Sequence, residues 1–332
     1  MIKKYPNDNE AIEVYNERYY NAVQGLWNRQ IELINRSFAK TLFLGECMPC
    51  FSPDFGPDQY AAFFGAKLKF SEDSKSTNWA DPIIEDWEKS LPLVFDDKNP
   101  TYQQLLEYTC KLAEDSRCKY LVGHIDKHSN ADTLSALRGS ERFCMDLYDF
   151  PEGIGKAMQD VRKAYKKIWD DIYKAGNMGG ERGCCHYGIW HEKCFSVVQC
   201  DAICMIGKEH FREYVLPAIE EEVSYSEATY FHLDGTGALR HLDDILSIKN
   251  LGILQWQPGD GQKANFLWLD VLKKAQSAGK SVIVFGNAER KLDFESLKPI
   301  YKELDPAKAI YCLSVQTIEE YETIIKWMKA NT

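Results

Sequence analysis

Short, continuous apolar runs alternate with stretches of helical period through the second half of the chain. Strands are expected at 228–232, 251–256, 281–285 and 309–313, and helices at 238–247, 264–277, 293–304 and 317–330. A run that is apolar at successive positions, rather than at every second one, belongs to a strand buried on both faces. Its alternation with helices therefore implies a parallel sheet. Upstream, 41–46, 120–125, 185–191 and 195–200 read as further strands, with helices at 100–117, across 132–175 and at 208–224. About eight strands in one such chain fit a (β/α)8 TIM barrel first and a doubly wound open sheet second.

The ends of this pattern behave differently. Over 9–37, Ile12, Tyr15, Tyr19, Val23, Leu26 and Trp27 fall on one helical stripe, so residues 1–38 read as an N-terminal helical extension. Residues 39–332 then form a single α/β barrel domain, because no fixed-period repeat and no Gly-, Pro- or Ser-rich linker divides them. The segment 51–87 is rich in Asp, Pro, Gly and aromatic residues, with one short helix expected at 58–64. It is too long for a plain connector, and such segments carry lids or binding surfaces, here with Trp79 and Trp87 over the mouth.

Composition narrows the choice of partners. With 40 Lys and Arg against 50 Asp and Glu, the 332 residues carry a net charge of −10 and no basic block, which argues against nucleic acid and anionic membranes. Eleven cysteines follow no regular disulfide spacing, and the lysines of Met1-Ile2-Lys3-Lys4-Tyr5 precede no apolar core. Reduced thiols and a cytoplasmic location are expected.

Candidate chemistry collects where strands end. In 230–237, Tyr-Phe-His-Leu-Asp-Gly-Thr-Gly, residues i and i+2 of a strand share a side, so His232 and Asp234 converge while Leu233 turns away. Gly235 and Gly237 would let the backbone turn tightly and approach a ligand. The competing structural reading has Asp234 capping a helix near Ala238, with His232 bonded to it. Other polar residues at strand ends are Glu46, His124, Asp126, His186, His191, Gln199, Asp201, Gln255, Gln257, Asn287 and Cys312. Of these, His124, His186, Gln255 and Gln257, with Trp79, are the candidate substrate contacts. His232, Asp234 and Cys312, with Glu46 as a possible fourth group, offer the N, O and S donors that suit zinc. No dinucleotide fingerprint, phosphate loop, His-Glu-x-x-His or nucleophile elbow occurs.

The residues from Asp201 onward resemble the uroporphyrinogen decarboxylase superfamily. The resemblance rests on Asp201 ahead of His210-Phe211-Arg212-Glu213-Tyr214-Val215-Leu216-Pro217, and on His232-Leu233-Asp234-Gly235. It implies a (β/α)8 barrel. The chain lacks the arginine-rich N-terminal signature that serves the polycarboxylate substrate of true decarboxylases, so the resemblance points to the corrinoid-linked methyltransferase branch. There a His-x-Cys strand end and a later Cys bind zinc, which activates a thiol to accept a methyl group from methylcobalamin on a corrinoid-binding partner. His232 matches the first ligand and Cys312 the last, while Asp234 stands in place of the middle Cys and makes the site harder.

The leading expectation is therefore metal-assisted methyl transfer between a corrinoid partner and a small thiol or folate-like acceptor, with Glu46 as labile ligand or general base. The alternative is a metal-free decarboxylase or lyase for a small oxygenated substrate, with Asp201, His232 and Asp234 as acid and base groups and Gln255 and Gln257 positioning. A ligand-binding barrel without catalysis is the third reading.

Overall fold

The computed structural model describes residues 2–4, 14–71, 74–179, 184–186 and 188–332. Among them the strands run β1 (Ile2–Lys4), β2 (Leu42–Leu44), β3 (Cys50–Phe51), β4 (Leu68–Ser71), β5 (Ser74–Ala80), β6 (Leu121–Val122), β7 (Cys184–His186), β8 (Ile189–His191), β9 (Phe195–Gln199), β10 (Ala228–Asp234), β11 (Ile253–Gln257), β12 (Ser281–Phe285) and β13 (Ala309–Cys312). The last five form one parallel sheet in the order β13-β12-β11-β10-β9, as the alternating apolar runs imply.

The two faces of that sheet bury different cores. Phe231, Leu233, Leu254, Trp256, Val282 and Val284 meet Ile219, Ile245, Leu272, Leu297 and Ile324 from the helices that alternate with the strands. On the other face Phe195, Val197 and Tyr230 pack with Phe51 and Val122 of the separate parallel pair β3–β6, together with Tyr60, Tyr108 and Tyr165. Register sets the level of each inward residue. Val197, Tyr230 and Ile253 lie side by side, Gln199, His232 and Gln255 form the next layer, and Asp234 pairs with Gln257 beyond it. Alternation along each strand keeps all of these on one face, so an apolar floor gives way to a polar rim at the C-terminal strand ends.

The hydrogen-bonded ladders do not join into a closed ring of eight parallel strands among the described residues. The span 185–191 is one reason: instead of one strand it makes the antiparallel pair β7–β8, turning at Gly188 with φ +78°. Pieces of two residues, such as β3 and β6, also offer few partners for a ladder. The N-terminal helix is likewise broken into Arg18–Val23 and Trp27–Ala39, where Gly25 takes φ +71°. The beginning of that expected helix, with Ile12, lies outside the described residues.

The segment 51–87 holds the expected short helix, Gln59–Phe63, followed by the β4–β5 hairpin. Trp79 on β5 is 53% exposed. Trp87 covers no mouth: it is buried in the core and its Nε1 donates to Asp146 at 2.7 Å. No helix among the described residues is long and apolar enough to cross a membrane.

The central strand β11 carries much of this packing. Leu254 is fully buried between the sheet and its helices, so Leu254→Ala is expected to cost about 2–5 kcal/mol. Urea denaturation of the variant measures this, and a loss below about 1 kcal/mol would contradict the close packing described.

Candidate functional site

Asp234, the last residue of β10, is left unused by local structure. The short helical turn that follows, Thr236–His241, starts from Gly235 and receives no side-chain cap, so the capping reading of Asp234 does not hold. The 234–237 turn is fixed by backbone instead: Gly235 N–H donates to the Gln257 carbonyl at 2.9 Å, and Cys204 Sγ donates to the Asp234 carbonyl at 2.9 Å. A Cβ on Gly237 would stand 2.9 Å from the Cys204 carbonyl oxygen. The glycines therefore permit close packing against the Asp201–Cys204 turn rather than approach to a ligand.

His232, two residues earlier, faces the same side. Its Nδ1 lies 2.8 Å from Gln255 Oε1, its neighbour in register on β11. That amide oxygen only accepts, so Nδ1 carries the proton and the Nε2 lone pair is available for a ligand. Gln255 is thus the orienting partner of His232.

Asp201 stands one residue beyond β9, after Cys200, at the first position of the turn Asp201–Cys204. Donor atoms of Asp201, His232 and Asp234 all lie within 4.8 Å of one another, a spacing able to hold a metal ion. Asp201 Oδ1, Asp234 Oδ1 and Gln199 Oε1 are buried acceptors without a hydrogen-bond partner. Buried acceptors left in that state are costly, so these atoms are able to take a cation, a water or another hydrogen-bond donor.

A second cluster, His128, Asp132 and Asp201, shares the Asp201 carboxylate. Here the chemistry differs, because Asp132 is already committed: its two oxygens accept from the backbone N–H groups of Asp201 at 3.0 Å and Ala202 at 2.8 Å. His128 is enclosed by carboxylates, with Nδ1 3.3 Å from Asp132 and 3.7 Å from Asp201, and Nε2 3.6 Å from Asp126. Burial alone would lower its pKa, but Asp126, Asp132 and Asp201 outweigh burial and hold the imidazole well above its usual range, as a cation. Burial pushes the Asp201 carboxyl up to about 6, opposed by His128 and His232 and reinforced by Asp132 and Asp234. Asp54 is likewise raised by burial to about 6, pulled down by Arg18 of the N-terminal helix and pushed up by Asp126.

The remaining expected site residues are elsewhere. Cys312 ends β13, which reaches β10 only through β12 and β11, and it belongs to neither cluster. His124 stacks on Trp169 at 5.5 Å, and its ring nitrogens lie 3.3 Å from the Trp169 carbonyl and 3.0 Å from the Ile125 N–H, inside the core. Glu46 lines a separate cavity of about 410 Å³ with Trp190, Tyr311 and Tyr321, which no clustered residue lines. His186 is in β7, and its side chain lies outside the described residues. His128, missed in the strand-end reading, stands two residues beyond Asp126 in a His-x-Asp-x-His run, and that spacing was the available signal.

No protein-family model matches the chain, and no curated protein matches it. Among solved structures, a methyltransferase from Methanosarcina mazei is similar, with a TM-score of 0.61 and 11% identity over 98% of this chain and 92% of that one. At this identity the likeness shows a shared fold.

Two outcomes check the geometry. Removing the orienting acceptor with Gln255→Leu is expected to weaken divalent-metal binding about 10- to 100-fold by calorimetry, and unchanged affinity would contradict the role given to Gln255. A raised folded-state pKa means that Asp54 contributes stability at low pH that is lost as pH rises from about 4 through about 6. Asp54→Asn removes that loss, so its stability relative to wild type is expected to improve by about 1–3 kcal/mol between pH 4 and pH 7. Urea denaturation at both pH values measures it, and a constant difference would contradict the charge assignment.

Proposed function

We propose that the chain is a methyltransferase-like enzyme in which Asp201, His232 and Asp234 hold zinc or another divalent ion. In this reading a corrinoid-binding partner supplies the methyl group to a small thiol or folate-like acceptor, and the two sets of parallel strands belong to one barrel of the (β/α)8 kind. The observation that carries it is the convergence of these three donors, with two of their carboxylate oxygens buried and unpartnered. Two carboxylates and an imidazole fit a divalent ion, as a harder donor set than one containing Cys312. When bound, the ion supplies Lewis acidity that favours the anionic form of an acceptor at neutral pH.

The chain's own groups shape what else can happen there. Gln255 fixes the tautomer and angle of His232. His128, as a buried cation, favours ionised Asp201 and so keeps it able to ligate. Asp126, Asp132, Asp201 and Asp234 surround the site with negative charge, which disfavours polycarboxylate substrates and favours acceptors that are neutral or cationic.

The pKa of Asp201 near 6, beside two histidines, favours a second reading: a metal-free lyase or decarboxylase in which Asp201 and His232 exchange a proton with a small oxygenated substrate. Elemental analysis separates the two. The metal reading expects about one divalent ion per chain, lost in His232→Ala and Asp201→Asn but retained in Cys312→Ala, with metal-dependent demethylation of methylcobalamin in the presence of thiols. Absence of metal from wild type after growth and purification in zinc would sink it, and turnover by that metal-free protein would establish the second reading.

A further inference from the structure

Glu222 is a buried carboxylate that none of the chemistry above employs. It sits on the helix Leu216–Ser224 with 3% of its surface exposed. One oxygen accepts from Ser129 Oγ at 2.7 Å and from Asn130 Nδ2 at 3.1 Å, both buried side chains. The other, Oε2, is buried without a partner.

Asn130 links several elements. Its Nδ2 also donates to the carbonyl of Gln199, the last residue of β9, at 3.3 Å, and its Oδ1 accepts from the Ala131 N–H at 2.7 Å, at the start of the helix Ala131–Arg138. Its backbone has φ +54° and ψ −128°, a conformation sparsely populated by residues other than glycine. Such a conformation persists where surrounding contacts over-determine it, and Glu222, whose carboxyl burial pushes up to about 7 against the bonds from Ser129 and Asn130, is the buried acid among those contacts. His128 is two residues away, with its carbonyl bonded to Thr133 Oγ1 at 2.9 Å. Asp201 follows the same β9 end to which Asn130 is tied.

We propose that Glu222 is a positioning residue: through Ser129 and Asn130 it sets the 126–130 loop so that His128 lies between Asp126 on one side and Asp132 and Asp201 on the other. The Glu222 hydrogen bonds go to Ser129 and Asn130 rather than to these groups, although its charge is also felt by Asp132. The inference rests on the arrangement of His128 around Asp201 and extends the proposed function without requiring metal or turnover.

The test is the side-chain ¹⁵N spectrum of histidine-labelled full-length protein at one fixed pH near neutrality, with the His128 signals assigned by their disappearance in His128→Gln. Glu222→Leu keeps the bulk but removes both acceptors, whereas Glu222→Gln keeps an acceptor for Ser129 and Asn130. The expected result is displacement of the His128 ring signals from their wild-type positions in Glu222→Leu and their retention at those positions in Glu222→Gln. A purely space-filling role for Glu222 would leave the His128 signals of a folded Glu222→Leu protein where they are in wild type, and that outcome overturns the proposal. If Glu222→Leu does not fold, Ser129→Ala removes one of the two bonds with little change in volume. It is expected to shift the same signals in the same direction, and no shift overturns the proposal. Metal loading, measured separately on each variant, tests the reading of Asp201, His232 and Asp234 independently of this one.

Discussion

An excess of buried carboxylate over buried cation is the constraint on which this site is built. Buried Asp54, Asp126 and Asp132 and partly exposed Asp201 and Asp234 gather at the strand ends, and isolated carboxylates leave water only at a large cost. The structure offsets that cost in three ways. Asp132 spends both oxygens on backbone N–H groups, His128 is held as a cation among three carboxylates, and Arg18 reaches in from the N-terminal helix to act on Asp54. What remains is the pair Asp201 and Asp234, each with an unpartnered oxygen next to His232. The chain's own compensation stops at this pair, and the divalent ion proposed above would complete it.

Pleat and register bring these groups together. The apolar layer of Val197, Tyr230 and Ile253 is succeeded, one step along the same face, by Gln199, His232 and Gln255. A shift of one residue in β10 would turn His232 and Asp234 into the helix-facing core and Leu233 into the mouth. The burial of Phe231 and Leu233 against the helices therefore specifies the orientation of His232 and Asp234 as firmly as any contact they make. The second anchor is the loop carrying His128, whose backbone at Asn130 is held by side-chain bonds rather than by regular secondary structure.

The parallel half of the fold was legible because buried parallel strands leave continuous apolar runs: β12 at Ser281–Phe285 and β10 from Ala228 match their expected positions closely. The facing of His232 and Asp234 followed from alternation, and Asp201 from its place after β9. Other features depended on tertiary context. The β7–β8 hairpin has the same residue types as a through-going strand and differs only in the turn at Gly188. Cys312 and Asp201 are both strand-end residues, and choosing the third donor required knowing which strands adjoin β10. His124 and His128 stand in one run, yet one stacks on Trp169 in the core and the other faces the carboxylates, a division set by packing partners far away in the chain.

X-ray absorption at the zinc edge of zinc-loaded protein reads the donor set itself, because sulfur and light-atom ligands differ in both distance and scattering. Coordination by Asp201, His232 and Asp234 gives a shell of nitrogen and oxygen only, at about 2.0–2.2 Å. A sulfur contribution at about 2.3 Å would place Cys312 or another thiol on the ion and contradict the proposed donor set.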